Sequence, residues 1–434
     1  MRSVLTIGGS DSCGGAGIQA DLKTFLALGV HGASVLTAVT AQNTREIREI
    51  FPLPPELVRQ QIRSVLSDLK VEWAKVGMLY SAEIVRAVEE ETGGLRLVID
   101  PVMTATTGAR LLQESALPEL KKLLKRAEVV TPNIPEAEIL AGVKIRDERG
   151  MVRAAERIAE LGARAVVVKG GHLKGKWVCD LLYTREKVVK LRRKKMSGEA
   201  HGTGCSFSAA LTAHLAMGLE VEEATRLAGD FVHEGLAFPL QVGEGKIPGF
   251  PSLERARAVE MVYAAAKRFV SAPQSARLIP EVGTNLVMAL PWARDPSQVV
   301  GLSGRIIRVG GKPTLTGFPE LGGSKHMATA LLTVMEKNPR TRAAMNVRYW
   351  EGVERACRRL GLRVAEFKRK EEPRGVRTMR WGMLKTMEKT AAPQVIFDRG
   401  GPGKEAMVRI FGRDPFEVVE LALKLGREAP NGED

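Results

Sequence analysis

The sequence predicts an α/β protein: a doubly wound, mostly parallel sheet with helices on both faces, then a second, smaller mixed α/β domain. Three observations predict it. Short apolar, β-branched runs alternate with amphipathic helical stretches over residues 1–270. Each run empties into Gly, Pro or Asn. The chain has 434 residues, 44% of them hydrophobic, which is more than one core usually encloses.

Taken in order, strands are expected at Val4–Gly8, Val35–Thr40, Trp73–Gly77, Leu97–Asp100, Val129–Thr131 and Ala165–Lys169. Between them, Glu56–Leu69, Ala82–Glu91 and Met151–Leu161 carry apolar residues at helical spacing. Such helices return the chain to a parallel neighbour, and ligands then gather at the carboxyl ends of the strands. A Gly/Pro-rich loop over 242–251 precedes an amphipathic helix, Ser252–Val270, that is expected to close the first domain at residue 270. Residues 271–275, small and polar, read as a linker. In the second domain, 276–434, strands are expected at Asn285–Leu290, Val299–Gly301 and Val395–Gly400, and Gly304–Gly311 as another strand or a hairpin arm. A helix spans Lys325–Glu336 with Ser324 as its N-cap, and 401–405 follow the last strand as a loop.

Composition excludes several classes. No run of 18 uncharged apolar residues exists, so no transmembrane span is expected. The apolar stretch Met1–Ile7 is too short for a signal peptide and reads as a first strand. Four cysteines (13, 179, 205 and 357) lack any C-x-x-C pairing, which argues against a zinc site or disulfide framework and for a reducing cytoplasm. The net charge is +15, and residues 271–434 hold 28 Lys and Arg against 18 Asp and Glu. That surplus suits nucleic acid or phosphorylated small molecules. With aromatics at 5% and no zinc finger or RNP-like string, phosphorylated metabolites fit and nucleic acid does not. The basic run Lys190–Lys195 reads as a solvated strand or loop edge.

The segment Ala200-His201-Gly202-Thr203-Gly204-Cys205 runs into an apolar, Ala-rich helix. Glycines there free the backbone, and the N–H groups of a first helical turn make an anion site. A thiol at that end feels the helix dipole, which favours thiolate. The plainer reading is a loop-to-helix junction with a buried Cys.

The other loops are specific in their order. Gly8-Gly9-Ser10-Asp11-Ser12-Cys13-Gly14-Gly15-Ala16-Gly17-Ile18-Gln19-Ala20-Asp21 comes first. Thr40-Ala41-Gln42-Asn43-Thr44, Val76-Gly77-Met78-Leu79 and Asp100-Pro101-Val102-Met103 follow. Then come Thr131-Pro132-Asn133-Ile134-Pro135-Glu136 and Val168-Lys169-Gly170-Gly171-His172. No G-K-[ST] follows the glycine-rich loop, so it is not a P-loop. Together this set resembles the ribokinase-like kinases, and within them the branch that phosphorylates hydroxymethylpyrimidine and then its monophosphate. The resemblance implies a ribokinase-like fold, ATP and Mg2+ as cofactors, and a homodimer.

It also implies roles. Gln42 and Asp21 would meet the pyrimidine, with Met78 and Val102 against its ring; an amide offers both donor and acceptor to such an edge. Asn133 and Glu136 match an N-x-x-E magnesium motif, although a first-turn helix acid is the plainer reading of Glu136. Lys169 and Asp100 fall in the nucleotide-phosphate region. Gly202, Thr203 and Gly204 match an anion hole, and Cys205 stands where related sugar kinases carry an aspartate base. A Cys serves there if its pKa falls near neutrality. His172 and His201 read as loop hydrogen-bonders, and His31, His214 and His233 as structural.

In the second domain the strings G-R-I-I-R-V-G-G (304–311), G-G-S-K-H (322–326) and D-R-G (398–400) resemble the thiamine-phosphate synthase domain found fused behind such kinases. The resemblance assigns function to Arg305 and His326, with Arg399 and Lys404 as weaker candidates. Arginine and histidine suit the charge that builds on a departing diphosphate. The alternative is a pyridoxal-type kinase fused to a regulatory domain that senses thiamine phosphate.

Overall fold

The computed structural model describes residues 1–105, 107–173, 175–196, 200–368, 378–390, 392–401 and 403–429, so Pro402 of the expected 401–405 loop lies outside them. The chain divides into two compact units, Met1–Pro251 and Ser252–Asp434.

The first unit runs β1 (Ser3–Asp11), α1 (Gly17–Ala27), β2 (His31–Gln42), β3 (Ile47–Pro52), α2 (Pro55–Asp68), β4 (Val71–Val76), α3 (Ala82–Glu91) and β5 (Arg96–Ile99). It continues with α4 (Leu117–Leu123), β6 (Ala127–Val130), α5 (Ile134–Ala141), α6 (Glu148–Glu160), β7 (Ala165–Val168), β8 (Trp177–Thr184) and β9 (Val188–Lys194). Helices α7 (Thr203–Ala216) and α8 (Val221–Ala237) and a small hairpin, β10 (Leu240–Val242) with β11 (Gly245–Ile247), complete it. Among the described residues the main sheet has nine strands in the order β3-β2-β1-β4-β5-β6-β7-β8-β9. The strands from β2 to β7 are parallel, while β3, β8 and β9 add antiparallel edges.

Alternation along each strand sends side chains to opposite faces. Leu5, Ile7, Ala74, Val76, Leu97 and Ile99 therefore enter one core with helices α2 to α6. Val4, Trp73 and Val98 enter the other, against Phe25 of α1, Phe207 of α7 and Ala224 of α8. Each face is covered, as a parallel sheet requires. Caps set where helices start: Ser81 accepts the Ile84 N–H ahead of α3, and Asp147 accepts the Gly150 N–H ahead of α6. The basic run lies on β9, whose side chains alternate outward, and long cations on an edge strand oppose pairing with other chains.

The second unit runs α9 (Pro251–Val270), β12 (Leu286–Ala289), β13 (Val299–Leu302), β14 (Ile306–Val309), β15 (Lys312–Leu315), β16 (Pro319–Leu321) and α10 (Lys325–Met335). Then come β17 (Ala343–Arg348), α11 (Val353–Arg359), β18 (Val364–Glu366), α12 (Thr378–Lys389), β19 (Val395–Asp398), β20 (Met407–Gly412) and α13 (Pro415–Arg427). Its main sheet, in the order β16-β13-β12-β17-β20-β19-β18, is antiparallel except between β18 and β19. Leu286 and Met288 face a core with α9 and α13; Val287 and Ala289 face a core with α10.

Two expectations are corrected here. The helix expected to close the first domain buries Ala258, Val262, Ala265, Ala266 and Phe269 in the core of the second unit. The division therefore falls at Pro251 and not at 270. Its apolar stripe shows that one face is covered, not by what. Ser324 stands at the N-cap of α10, but its side chain makes no capping hydrogen bond. Within the segment Gly304–Gly311, Ile306–Val309 form β14, the arm of a separate hairpin with β15, which is the second of the two forms expected there.

Candidate functional site

In the first sheet β2 and β4 lie on opposite sides of β1, so the strand order reverses there. Ligands of open α/β sheets settle in the crevice at such a point, outside the strands' carboxyl ends. The loop after β1, Gly77-Met78 after β4, Asp100 after β5, Asn133 after β6 and Lys169 after β7 all lie at that end.

Two glycines bring backbones together. Gly202 has φ +87°, and a Cβ there would lie 1.8 Å from the Gly15 carbonyl oxygen. Gly17 has φ +56°, and its Cβ would lie 2.3 Å from the Gly9 carbonyl oxygen. Only glycine permits both the conformation and the approach. Thus the 200–204 segment rests on the glycine-rich loop, and α7 starts with no side-chain cap on its first N–H groups. Gly202, Thr203 and Gly204, expected to form an anion hole, thus open α7 beside the glycine-rich loop.

Cys205 follows in the first turn of α7. Burial pushes its thiol up to about 11, against the pull of Lys75, with Asp21 and Asp100 adding to the rise. The thiol therefore does not rest near neutrality, the condition set for a resting thiolate base: the dipole of a helix end is outweighed by lost hydration.

Lys75 is the residue the sequence reading missed. Its ammonium donates to Asp21 Oδ2 at 2.9 Å, with side chains only 1% and 0% exposed. Burial alone depresses a lysine, but Asp21, Cys205 and Asp100 reverse this and hold its pKa above the usual value. Asp21 also accepts the Thr6 hydroxyl at 2.6 Å, while its Oδ1 has no partner among the described residues. Asp21, expected to touch a ligand, is thus in the interior as the partner of Lys75. The missed signal was a lysine within the apolar run Trp73-Ala74-Lys75-Val76, since an unpaired charge is almost never buried.

Lys169 donates to Asp100 Oδ1 at 2.8 Å, and Asp100 Oδ2 accepts the Ser208 hydroxyl at 3.2 Å. Gly204 sits over this pair, since a Cβ there would meet Lys169 Nζ at 3.3 Å. Glu136 is drawn in electrostatically. Burial raises its carboxyl to about 7, helped by Asp100 and opposed by Lys169 and by the N–H groups of Asn133 and Met103. Asn133 and Glu136 also form a reciprocal capping box on α5: Asn133 Oδ1 accepts the Glu136 N–H at 2.9 Å, and Glu136 Oε2 accepts the Asn133 N–H at 2.8 Å. The pair expected at a metal therefore also starts a helix.

Met78, 8% exposed, packs with Ala38 and Leu111, and Val102 packs on the same cluster. Gln42 is the last residue of β2. Its Oε1 accepts the Thr40 hydroxyl at 3.1 Å, and its Nε2 lies 2.9 Å from His201 Nε2. His201 Nε2 is also 3.0 Å from Asp11 Oδ2. Burial pushes the Asp11 carboxyl up, but bonds from His201, the Ala16 N–H and Cys13 bring it down to about 2.

In the second unit Arg305 donates to the Val282 carbonyl, and His326 lies in the first turn of α10. Both side chains are exposed. The segments that bear them meet where Ser324 approaches Gly301, at 3.2 Å from its built Cβ. Arg399 is engaged by Glu366 at 3.0 Å and by the Tyr349 hydroxyl at 3.0 Å. Among the described residues, no helix is long and apolar enough to cross a membrane.

Comparison with known proteins extends this geometry. Residues 11–249 match the family described as phosphomethylpyrimidine kinase. Residues 261–424 match thiamine-phosphate synthase ThiN. The bifunctional thiamine biosynthesis protein ThiDN of Methanocaldococcus jannaschii is 32% identical over 96% of this chain and 96% of its own. The hydroxymethylpyrimidine/phosphomethylpyrimidine kinase of Bacillus subtilis is 43% identical over 57% of this chain and 94% of its own. Among solved structures, the pyridoxal kinase of Staphylococcus aureus in complex with ADP aligns with a TM-score of 0.55 at 33% identity, covering 59% of this chain and 95% of that one.

Proposed function

Because the chain belongs to the phosphomethylpyrimidine kinase family and carries a ThiN-type synthase unit behind it, we propose that one polypeptide performs two consecutive stages of thiamine assembly. The first unit phosphorylates hydroxymethylpyrimidine twice with ATP. The second joins the resulting diphosphate to a thiazole phosphate and expels diphosphate. The observation that carries this is the end-to-end likeness, over 96% of both chains, to a bifunctional thiamine biosynthesis protein.

The pyrimidine ring lies against Met78 and Val102, with its edge on the Gln42 amide, which must first part from His201. Cys205 takes the hydroxyl proton in the first transfer through the small thiolate fraction that the Lys75 cation favours. The N–H groups opening α7 face the moving phosphoryl group, and Lys169 holds the nucleotide phosphates. Two buried carboxyls, Asp100 and Glu136, face the Lys169 cation, and this oxygen-rich set fits Mg2+ held partly through waters. When bound, the ion neutralises phosphate charge. Gly202→Ala is expected to add about 1–3 kcal/mol of local strain and to slow phosphoryl transfer at least ~10-fold by displacing the start of α7. Unchanged kcat in that variant would refute the close approach.

In the second unit Arg305 and His326 stabilise the leaving diphosphate. The test supplies the full chain with hydroxymethylpyrimidine, ATP, magnesium and thiazole phosphate. Thiamine phosphate is expected, and His326→Ala should slow its formation at least ~10-fold while hydroxymethylpyrimidine diphosphate accumulates. Undiminished thiamine phosphate in that variant would remove His326 from the reaction. The likeness to pyridoxal kinase supports a second reading, so pyridoxal belongs in the assay as a competing acceptor.

A further inference from the structure

Cysteine spacing along the chain argues against a zinc site, but spacing sees only neighbours in sequence. We propose that Asp11, Cys13 and His201 together bind a divalent transition metal of the zinc class beside the first unit's crevice. The carboxylate oxygen, thiol sulfur and ring nitrogen of these residues all lie within 4.8 Å of one another. Cys13 Sγ is 3.3 Å and His201 Nε2 3.0 Å from Asp11 Oδ2. Donor atoms of a tetrahedral zinc site, each about 2.0–2.3 Å from the ion, sit roughly 3.3–3.8 Å apart. Small side-chain adjustments therefore suffice.

Two further features favour an ion. The carboxylate is already oriented by backbone: Asp11 Oδ1 accepts the Cys13 N–H at 3.0 Å, and Oδ2 accepts the N–H groups of Gly15 at 3.0 Å and Ala16 at 2.7 Å. Such outer bonds are what fix metal-binding carboxylates. His201 Nε2, in turn, already points into the cluster, 3.0 Å from Asp11 Oδ2 and 2.9 Å from the Gln42 amide. In the neutral ring with its proton on Nδ1, that nitrogen offers a lone pair. A cation held by Asp11 takes it, ending the direct Gln42 contact. Binding releases the Cys13 thiol proton to solvent, and the neutral His201 ring keeps its proton on Nδ1. The Gln42 amide oxygen fills the fourth position, which takes that amide away from the pyrimidine edge.

The ion would tie the 200–204 segment to the glycine-rich loop and hold it against the pyrimidine crevice. Zinc then inhibits the kinase by raising KM for the pyrimidine, a consequence that rests on the function proposed above. Metal binding itself does not, and it is read without substrate. Cobalt(II) titrated into the full chain should give one equivalent of tetrahedral signal with a thiolate-to-cobalt charge-transfer band that zinc abolishes. Cys13→Ser should lose the band and bind zinc at least ~10-fold more weakly. Cys205→Ala should keep it. A band that survives Cys13→Ser, one that vanishes only with Cys205→Ala, or no band in the native chain overturns the site. Cys13→Ser should turn over normally without zinc, which shows that it folds, and its KM should not respond to zinc. A charge-transfer band without any rise in the native KM overturns the inhibition and leaves the metal site standing.

Discussion

Cys205→Ala is expected to slow the first phosphoryl transfer, to hydroxymethylpyrimidine, by about 10²–10⁴-fold and to leave the second nearly unchanged. The hydroxyl must lose a proton as its oxygen attacks, whereas the monophosphate already presents an anionic oxygen. Burial holds the Cys205 thiol up at about 11, so the thiolate is scarce at neutral pH. Below that value its fraction rises about tenfold per pH unit. First-step kcat/KM should therefore climb with pH between roughly 7 and 9 in the native enzyme, and the climb should be absent in Cys205→Ala. Equal losses in both steps, or a pH slope that survives the substitution, would remove the thiol from proton transfer.

Lys75→Met should cost the first unit about 3–5 kcal/mol, a fall of roughly 10 °C in its melting temperature. The substitution leaves Asp21 as a buried acid without its cation, and Asp21 Oδ1 already has no partner among the described residues. Adding Asp21→Leu should recover most of the loss, because a well-packed apolar pair is often as stable as a buried ionic one. Thermal unfolding followed by residual kinase activity measures both. The single variant should also weaken the first transfer, since Lys75 is the cation that favours the Cys205 thiolate. A native melting temperature in Lys75→Met would show that the pair carries no stability.

Most of the first unit's architecture was legible because its central strands are mainly apolar runs that a two-sided sheet buries. The edges were harder. Strand β3 is mostly solvent-facing, and a strand with one dry side or none has a weaker pattern. Loop order pointed to the crevice, and Met78 and Val102, both expected against a substrate ring, join one apolar cluster there. What sequence could not supply was depth. The carboxyl of Asp21 looks like surface chemistry until neighbouring elements close over it. Contacts such as Asp11 with His201, 190 residues apart, follow from the fold alone.

Helix α9 gives its apolar stripe to the rear unit. The small-residue stretch just past Val270 is therefore not where the two units divide, although its composition advertises it. A synthase half cut out as a separate polypeptide has to take this helix with it. A transplant begun after that stretch would arrive with an open wound in its interior and leave an orphaned greasy tail behind.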